Sequence, residues 1–376
     1  MKKAIIFGLG NTYTTYKSYL FGNYKVIGLV DNNLAIHGRI VDGITVIPPE
    51  KIRALEYDVV ILMLGMPESE KVVDQLKELS VPLESIIRSE TIKSKKWLMQ
   101  YRAIFGEYIR PKSEKLISSV CRPTDLESIP EWSSQLANSN IAGLYTQDRK
   151  TWEFVYICQA LKERGMLAKG KRGLVFAVGR ELLPTIFAGY GCKITATDAP
   201  IEISIGWDGS NQHSNSINDL YYPHIIEKKQ FLQNVAFRYA DMKNIPEDLV
   251  DYDFIWTSCA LEHLGSMHTA KEFIYRAMNC LKPGGIAVHT TEYNLKSSVE
   301  TLNMGNVSAM RSVDLIEVAE HLAWQGHFVE PLDFRLDGST CDNEVALYPY
   351  SEHHFKLFFK SHILTSFGLI IRKGNI

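Results

Sequence analysis

The 376-residue chain has no Cys-x-x-Cys pair, no excess of positive charge, no apolar run approaching a membrane span, and no internal repeat or low-complexity segment. Each absence removes a class. Six cysteines, at 121, 158, 192, 259, 280 and 341, are scattered. Such scatter argues against a disulfide framework or a zinc ribbon and suits reduced thiols in a cytoplasm. Lysine and arginine number 41 against 43 aspartates and glutamates, a net charge of -2. That balance argues against nucleic acid as the main partner, because neutralising phosphates needs a basic surface. A transmembrane helix needs about 20 apolar residues, and none is expected here. The N-terminal MKKAIIFGLGNTY begins like a signal peptide, but Gly8 and Gly10 break its apolar run early, as a strand and loop would. These absences predict a cytoplasmic protein without a membrane span.

What is present is an ordinary globular composition, 45% hydrophobic and 22% charged. The length is too great for one ordinary core, so two domains are the default. In residues 1–92, apolar β runs at Ala4–Phe7, Val26–Val30, Ile44–Val46 and Val59–Leu64 alternate with helical candidates. One of these, 69–79, places Val72, Val73, Leu76 and Leu79 on one face. Alternation of this kind predicts a parallel sheet. Residues 93–170 mix helical pieces (Trp97–Ile109, Trp152–Arg164) with a polar, turn-rich stretch at Thr124–Ser139. They read as a connector and a helical lead-in covering part of a second site.

From 171 to 376 the alternation resumes. Strands are expected at Leu174–Val178, Lys193–Thr197 and Val235–Tyr239, with a helix at Leu182–Ala188. A final pair, Phe328–Phe334 and Ser366–Ile371, is expected at a sheet edge. Asp314 with Glu317 marks another helix start. The richest stretch is 253–291: a strand Asp253–Trp256, a polar loop, a helix over 270–281 capped by Thr269 with Glu272, then Lys282-Pro283-Gly284-Gly285 and a strand Ile286–His289. In a doubly wound sheet, ligands sit at the carboxyl ends of strands. Those ends carry Ser258, Glu262, His263, His289, Thr290 and Glu292. The fold expected is therefore α/β, two doubly wound Rossmann-like domains.

Along the second half run a glycine turn after the first strand, an acid ending the second, an Asp-Met after the third and a Pro-Gly-Gly before the fifth. This order resembles the class I S-adenosylmethionine-dependent methyltransferases over roughly residues 170–376, and implies their seven-stranded sheet. The combination FAVGRE (176–181), TATDAP (195–200), SCALEHL (258–264) and HTTEYN (289–294) is more specifically similar to methyltransferases encoded among bacterial surface-glycan and capsule genes. The resemblance implies O-methylation of a sugar, nucleotide-linked sugar or glycan precursor, with S-adenosylmethionine as cofactor. Gly179, with no Cβ, lets the backbone approach the methionine part of the cofactor. Arg180 and Glu181 follow at a helix start, where free N–H groups are expected. Asp198 suits the ribose hydroxyls. Asp241 and Met242 resemble residues that hold adenine, and Ser258 with Cys259 opens the fourth strand beneath the sulfonium. One departure stands out: Val175 and Ala177 occupy positions where an acid and the first glycine are usual.

For a hydroxyl acceptor, a base within hydrogen-bond reach removes the proton. His263 and His289 are the candidates, because histidine titrates near neutral pH. His263 reads otherwise as a helix cap, and His289 equally as a satisfied core histidine. Glu292 is the third catalytic candidate. His213, Glu262, Thr291 and Asn294 are candidate substrate contacts, with His213 in a polar loop (206–213) that lies over the cofactor in this reading. His353 and His354 are adjacent and point to opposite faces of an extended chain, which suits a solvated or rim role. No ligand spacing signals a metal. The N-terminal domain is similar to Rossmann-like domains that precede sugar acyltransferases and other nucleotide-sugar enzymes. Gly8-Leu-Gly10 at a helix start and Asp31 at a strand end suit a nucleotide or nucleotide-sugar. A ligand-free structural or dimerising role fits them equally, and a homo-oligomer stays open. Two alternatives are an oxidoreductase or epimerase using a nicotinamide cofactor through this domain, which would need a Tyr-x-x-x-Lys or comparable proton relay after its sheet where none is read, and a non-catalytic nucleotide-binding module.

Overall fold

The structure, a computed structural model, describes residues 1–108, 115–129, 131–132, 136, 148–203, 213–296, 298–304, 307–350 and 353–375. The polar loop at 206–212 and much of Thr124–Ser139 lie outside the described residues. The chain divides into two compact units, Met1–Gln100 and Tyr101–Ile376.

The first unit is a six-stranded sheet of β1 (Lys3–Phe7), β2 (Lys25–Val30), β3 (Ile40–Val41), β4 (Ile44–Ile47), β5 (Val59–Leu62) and β6 (Ile86–Arg88), ordered β3-β4-β2-β1-β5-β6. All neighbours run parallel except the β3–β4 hairpin. β1 and β5 are buried apolar runs, as strands covered on both faces must be. Helix Glu68–Glu78 buries Ser69, Val72, Val73 and Leu76, a stripe at the 3–4 residue spacing of one helical face.

The second unit is built on β7 (Ser118–Val120), β8 (Arg172–Val175), β9 (Lys193–Asp198), β10 (Val235–Tyr239), β11 (Tyr252–Ser258), β12 (Leu281–Asn294), β13 (Phe328–Val329), β14 (Leu332–Asp333), β15 (Leu357–Phe359) and β16 (His362–Arg372). Its main order is β10-β9-β8-β11-β12-β16-β7-β14, with β13 and β15 also against β16. Strands β8 to β12 are parallel, and β16 is antiparallel to β12. Seven strands (β8–β13 and β16) make up the sheet expected, and β7, β14 and β15 extend it to ten. Of the 93–170 stretch read from sequence as a connector, the described residues from Tyr101 on fold into this unit. They supply β7 beside β16 and the helix Arg149–Glu163, whose Trp152, Val155, Tyr156 and Leu161 enter the core.

Both faces of this sheet are covered. On one face Phe187 of helix Leu183–Gly189 meets Trp256 edge-on at 5.0 Å. On the other Phe273 of helix Met267–Ala277 meets Phe176 at 5.2 Å and His289 at 6.0 Å. Three local expectations change. The helix starts at Met267 rather than 270, because Ser266 is the cap and accepts from Thr269 N. Lys282-Pro283-Gly284-Gly285 lies within β12, where the pairing with β11 slips, rather than between a helix and a strand. The C-terminal pair is not an edge: β16 sits between β12 and β7, and only Phe328–Val329 of the expected 328–334 strand pairs with it.

Candidate active site

From β8 the chain winds outward through β9 and β10, then returns to β11 on the other side of β8. At such a reversal the connections leave to opposite sides and open a crevice at the carboxyl ends. The turn after β8, Asp198 at the end of β9, the exit of β11 and the end of β12 all lie at those ends.

The turn after β8 is tight. Ala177 and Gly179 both take left-handed backbone, φ 51° and 53°. Alanine thus adopts the shape expected of a glycine, at a steric cost of about 1–2 kcal/mol. Asp198, 5% exposed, closes this turn. Its Oδ2 accepts from Gly179 N (3.0 Å) and Ser214 N (3.0 Å), and its Oδ1 from Ala199 N (2.8 Å). His213 Nδ1 lies 3.2 Å from Oδ1. The Ser214 hydroxyl donates to the Gly179 carbonyl. His213 therefore sits at the acid that ends β9, and its Nε2 is buried with no hydrogen-bond partner among the described residues.

Arg180 is exposed, with Asp219 at 4.0 Å. Glu181 is buried, and its Oε1 accepts from Trp256 Nε1 at 2.6 Å. Burial pushes the Glu181 carboxyl up to about 8. Asp241 accepts from Lys243 N (2.8 Å) and Asn244 Nδ2 (3.0 Å), which folds the turn after β10 around the buried Met242.

On the other side of the crevice, a polar cluster assembles from five elements. Helix Arg149–Glu163 contributes its first turn, fixed by Asp148 capping Thr151 N. Arg149 Nη1 contacts both Glu292 oxygens, at 2.6 and 2.7 Å. Lys150 Nζ donates to Ser258 Oγ at 2.9 Å and to Glu153 Oε2 at 3.1 Å. Glu153, 1% exposed, also accepts from Cys259 Sγ (2.8 Å) and Ser366 Oγ (2.5 Å). Although burial opposes it, the Lys150 and Arg149 charges hold the Glu153 carboxyl below the usual range. Glu262 is the reverse case: burial, reinforced by the Glu292 carboxylate, pushes it up to about 8.

Not every expected residue joins this cluster. Along β12, alternate side chains face opposite sides of the sheet. Glu292 lies on the side of Arg149, while His289 lies with Phe273 on the other. His289 is fully buried, its Nδ1 2.9 Å from Thr257 Oγ1, and burial drives its pKa down to about 3. Buried on the face away from Glu292, this imidazole binds a proton too weakly to serve the crevice as a base; it is a core histidine satisfied at Nδ1 only, its Nε2 having no hydrogen-bond partner among the described residues. Thr291 shares its alternation and is 2% exposed. Asn294 is spent on its own loop, accepting from Lys296 N (3.0 Å) and donating to Glu300 O (2.8 Å). His263 ends the single 3-10 turn Leu261–His263 at the exit of β11 and is half-buried. It does not cap the Met267–Ala277 helix, whose cap is Ser266. Arg149, Lys150, Glu153 and Ser366 were missed from sequence; the acid and two bases on one turn after Asp148 were the available signal.

In the first unit, Asp31 Oδ2 accepts from Leu9 N at 2.8 Å, tying the Gly8-Leu9-Gly10 loop to the end of β2. Tyr13 and Lys17 have Tyr-x-x-x-Lys spacing, but helix Asn11–Asn23 follows β1 directly, and both hold Asp42 (2.6 and 2.7 Å). Tyr108 and Lys112 share the spacing, and Lys112 lies outside the described residues.

Residues 1–87 match the family model described as "C2185-like, N-terminal". No curated protein matches the chain. Among solved structures, the chain is similar to the DhpI–SAH complex at 16% identity, covering 67% of this chain and 98% of that one, TM-score 0.35. It is similar to the 1,6-didemethyltoxoflavin-N1-methyltransferase of Burkholderia thailandensis, with 1,6-didemethyltoxoflavin and S-adenosylhomocysteine bound, at 12% identity, 72% and 95% coverage, TM-score 0.34. It is likewise similar to the [4+2]-cyclase SpnF at 16% identity, 68% and 99% coverage, TM-score 0.38. Likeness at that level assigns no activity. Among the described residues, no helix is long and apolar enough to cross a membrane.

Proposed function

We propose that the Tyr101–Ile376 unit is an S-adenosylmethionine-dependent methyltransferase acting on a hydroxyl of a sugar, nucleotide-linked sugar or glycan precursor. The observation that supports it most is Asp198 bonded to Gly179: an acid ending β9 clasps the glycine turn after β8, beside the reversal point of the sheet. In this reading the ribose hydroxyls displace Ser214 N and the His213 ring from Asp198, and Met242 packs on adenine above Asp241. Ser258 and Lys150 border the sulfonium, and Glu181 meets the amino-acid end.

Methyl transfer is an in-line displacement. The acceptor oxygen bonds to the methyl carbon, the carbon–sulfur bond breaks with its electrons left on sulfur, and the acceptor proton leaves to a base. Most of the rate comes from holding the atoms in line. His263, half-buried at the β11 exit, is the proposed base, with Glu262 and Glu292 holding acceptor hydroxyls. The glycan acceptor rests on the resemblance of the four motifs between 176 and 294. On the same ground the Met1–Gln100 unit is proposed to bind a nucleotide or nucleotide-sugar, with Asp31 and the Gly8–Gly10 loop as its site.

Calorimetry with S-adenosylhomocysteine tests the cofactor. The full chain is expected to bind, and Asp198→Ala to lose at least about 2 kcal/mol, the scale of hydrogen bonds to a charged group. Unchanged affinity in that variant rejects the site. No binding by the unaltered chain rejects the methyltransferase reading in favour of a non-catalytic module, which the four donors already on Asp198 would suit. A thermal-shift screen with UDP-sugars and NAD tests the first unit.

A further inference from the structure

We infer that the Tyr101–Ile376 unit carries a site for a divalent transition metal, formed by Cys259, Glu262 and Glu292. Cys259 Sγ and one carboxylate oxygen from each glutamate lie within 4.8 Å of one another. Donors that close converge on one ion at zinc–sulfur and zinc–oxygen lengths of about 2.3 Å and 2.0–2.2 Å after small side-chain rotations. An independent observation points the same way. Glu262 is 3% exposed, and its Oε2 is buried with no hydrogen-bond partner among the described residues. A buried carboxylate oxygen without a donor is rare, and an unseen ion is one of its ordinary explanations.

The donors sit on a rigid frame. Cys259 and Glu262 follow β11, and Glu292 belongs to its parallel neighbour β12. Cys259 N donates to Thr290 O (3.1 Å) and lies 3.2 Å from Thr290 Oγ1, which binds the first donor's backbone to the strand of the third. Charge balance agrees. With Cys259 as thiolate, it and three ionised carboxylates (Glu153, Glu262, Glu292) face two cations, Arg149 and Lys150. One dication brings the sum to zero, and the Cys259 thiol proton and the Glu262 carboxyl proton leave to solvent on binding. Arg149 and Lys150 then act as outer partners. Each carboxylate oxygen has two lone pairs, so Glu292 can serve Arg149 and a metal together.

A thiolate with two carboxylates selects zinc and its transition-metal neighbours over magnesium or calcium. Three protein donors leave a fourth position open. Resting on the methyltransferase reading, that position takes the acceptor's hydroxyl oxygen; the metal site itself does not depend on that reading.

The test is a cobalt titration of the full-length protein after treatment with a chelator. A thiolate-to-cobalt charge-transfer band in the near ultraviolet, saturating near one ion per chain and removed by added zinc, is expected. Cys259→Ser is expected to abolish the band. Glu262→Gln should keep the band and weaken zinc binding at least about tenfold, with near-ultraviolet circular dichroism confirming its fold. No band in the unaltered protein, or a band that survives Cys259→Ser, overturns the site. Should the serine variant misfold, undiminished zinc affinity in Glu262→Gln does so. S-adenosylhomocysteine calorimetry on the chelated protein is read separately. Binding there with no cobalt band sinks the metal alone, and a cobalt band without binding sinks the methyltransferase reading alone.

Discussion

Replacing Glu181 with glutamine is expected to remove a large pH-dependent loss of stability. Glu181 is 7% exposed in the turn after β8 and accepts from Trp256 Nε1 at 2.6 Å. Burial raises its carboxyl from 4.5 to about 8. The unfolded chain gives up this proton near pH 4.5, while the folded protein keeps it until about pH 8. Through that window the folded state binds more protons, so stability falls as pH rises and levels off above about 8. At 1.36 kcal/mol per pKa unit the loss is about 5 kcal/mol. Glutamine keeps a carbonyl oxygen for Trp256 and does not titrate. Denaturant midpoints of both proteins, taken from about pH 4.5 to about pH 8, are expected to diverge with rising pH in favour of Glu181→Gln. His289 and Glu262 titrate in both proteins and cancel in the difference. Parallel profiles, differing in slope by less than about 1 kcal/mol across the window, would refute the buried neutral acid. The same group offers a functional readout. A ligand ammonium docking beside Glu181 would ionise it, and calorimetric heats would then depend on the ionisation enthalpy of the buffer.

Two further outcomes follow from the crevice. Arg149→Met leaves Glu292 without its guanidinium partner and is expected to cost about 2–3 kcal/mol, below a fully buried pair because these side chains are 17% and 12% exposed. The double variant Arg149→Met/Glu292→Gln should regain at least half of that loss by denaturant midpoint, and strict additivity would show that the pair is not coupled. Ala177→Gly relieves a left-handed alanine worth about 1–2 kcal/mol against a glycine entropy cost of about 0.4–1, for a net gain of roughly 0.5 kcal/mol. A loss of stability would mean that the Ala177 methyl packs usefully.

Much of the architecture is legible along the chain, and the failures have particular causes. β1 and β5 fall where apolar, β-branched runs stand between turn residues, because a strand covered on both faces needs little else. The 282–285 turn residues misled: two glycines and a proline look like an end, yet β12 absorbs them as an irregularity of pairing that only the neighbouring strand reveals. Phe328–Phe334 is apolar enough for one strand, but two short pairings divide it between β13 and β14. In the candidate site, Asp198 and Ser258 end β9 and β11, Glu262 lies in the turn that follows β11, and Glu292 is near the end of β12, so all four could be placed from recognisable strands. The separation of His289 from Glu292 was also readable, since an odd spacing along a strand points two side chains to opposite faces.

The chain by itself determined the sheet-and-helix alternation and which residues end the strands, because hydrophobic period and turn chemistry act over a few residues. Only tertiary structure decided which polar groups meet. Lys150 reaches Ser258 across 108 positions, and Arg149 reaches Glu292 across 143. No local pattern encodes such pairings. They exist because helix Arg149–Glu163 packs on the sheet with its first turn at the mouth of the crevice. There burial raises the carboxyls of Glu181 and Glu262 while the Lys150 and Arg149 charges lower that of Glu153 against it, although in sequence they are three ordinary glutamates.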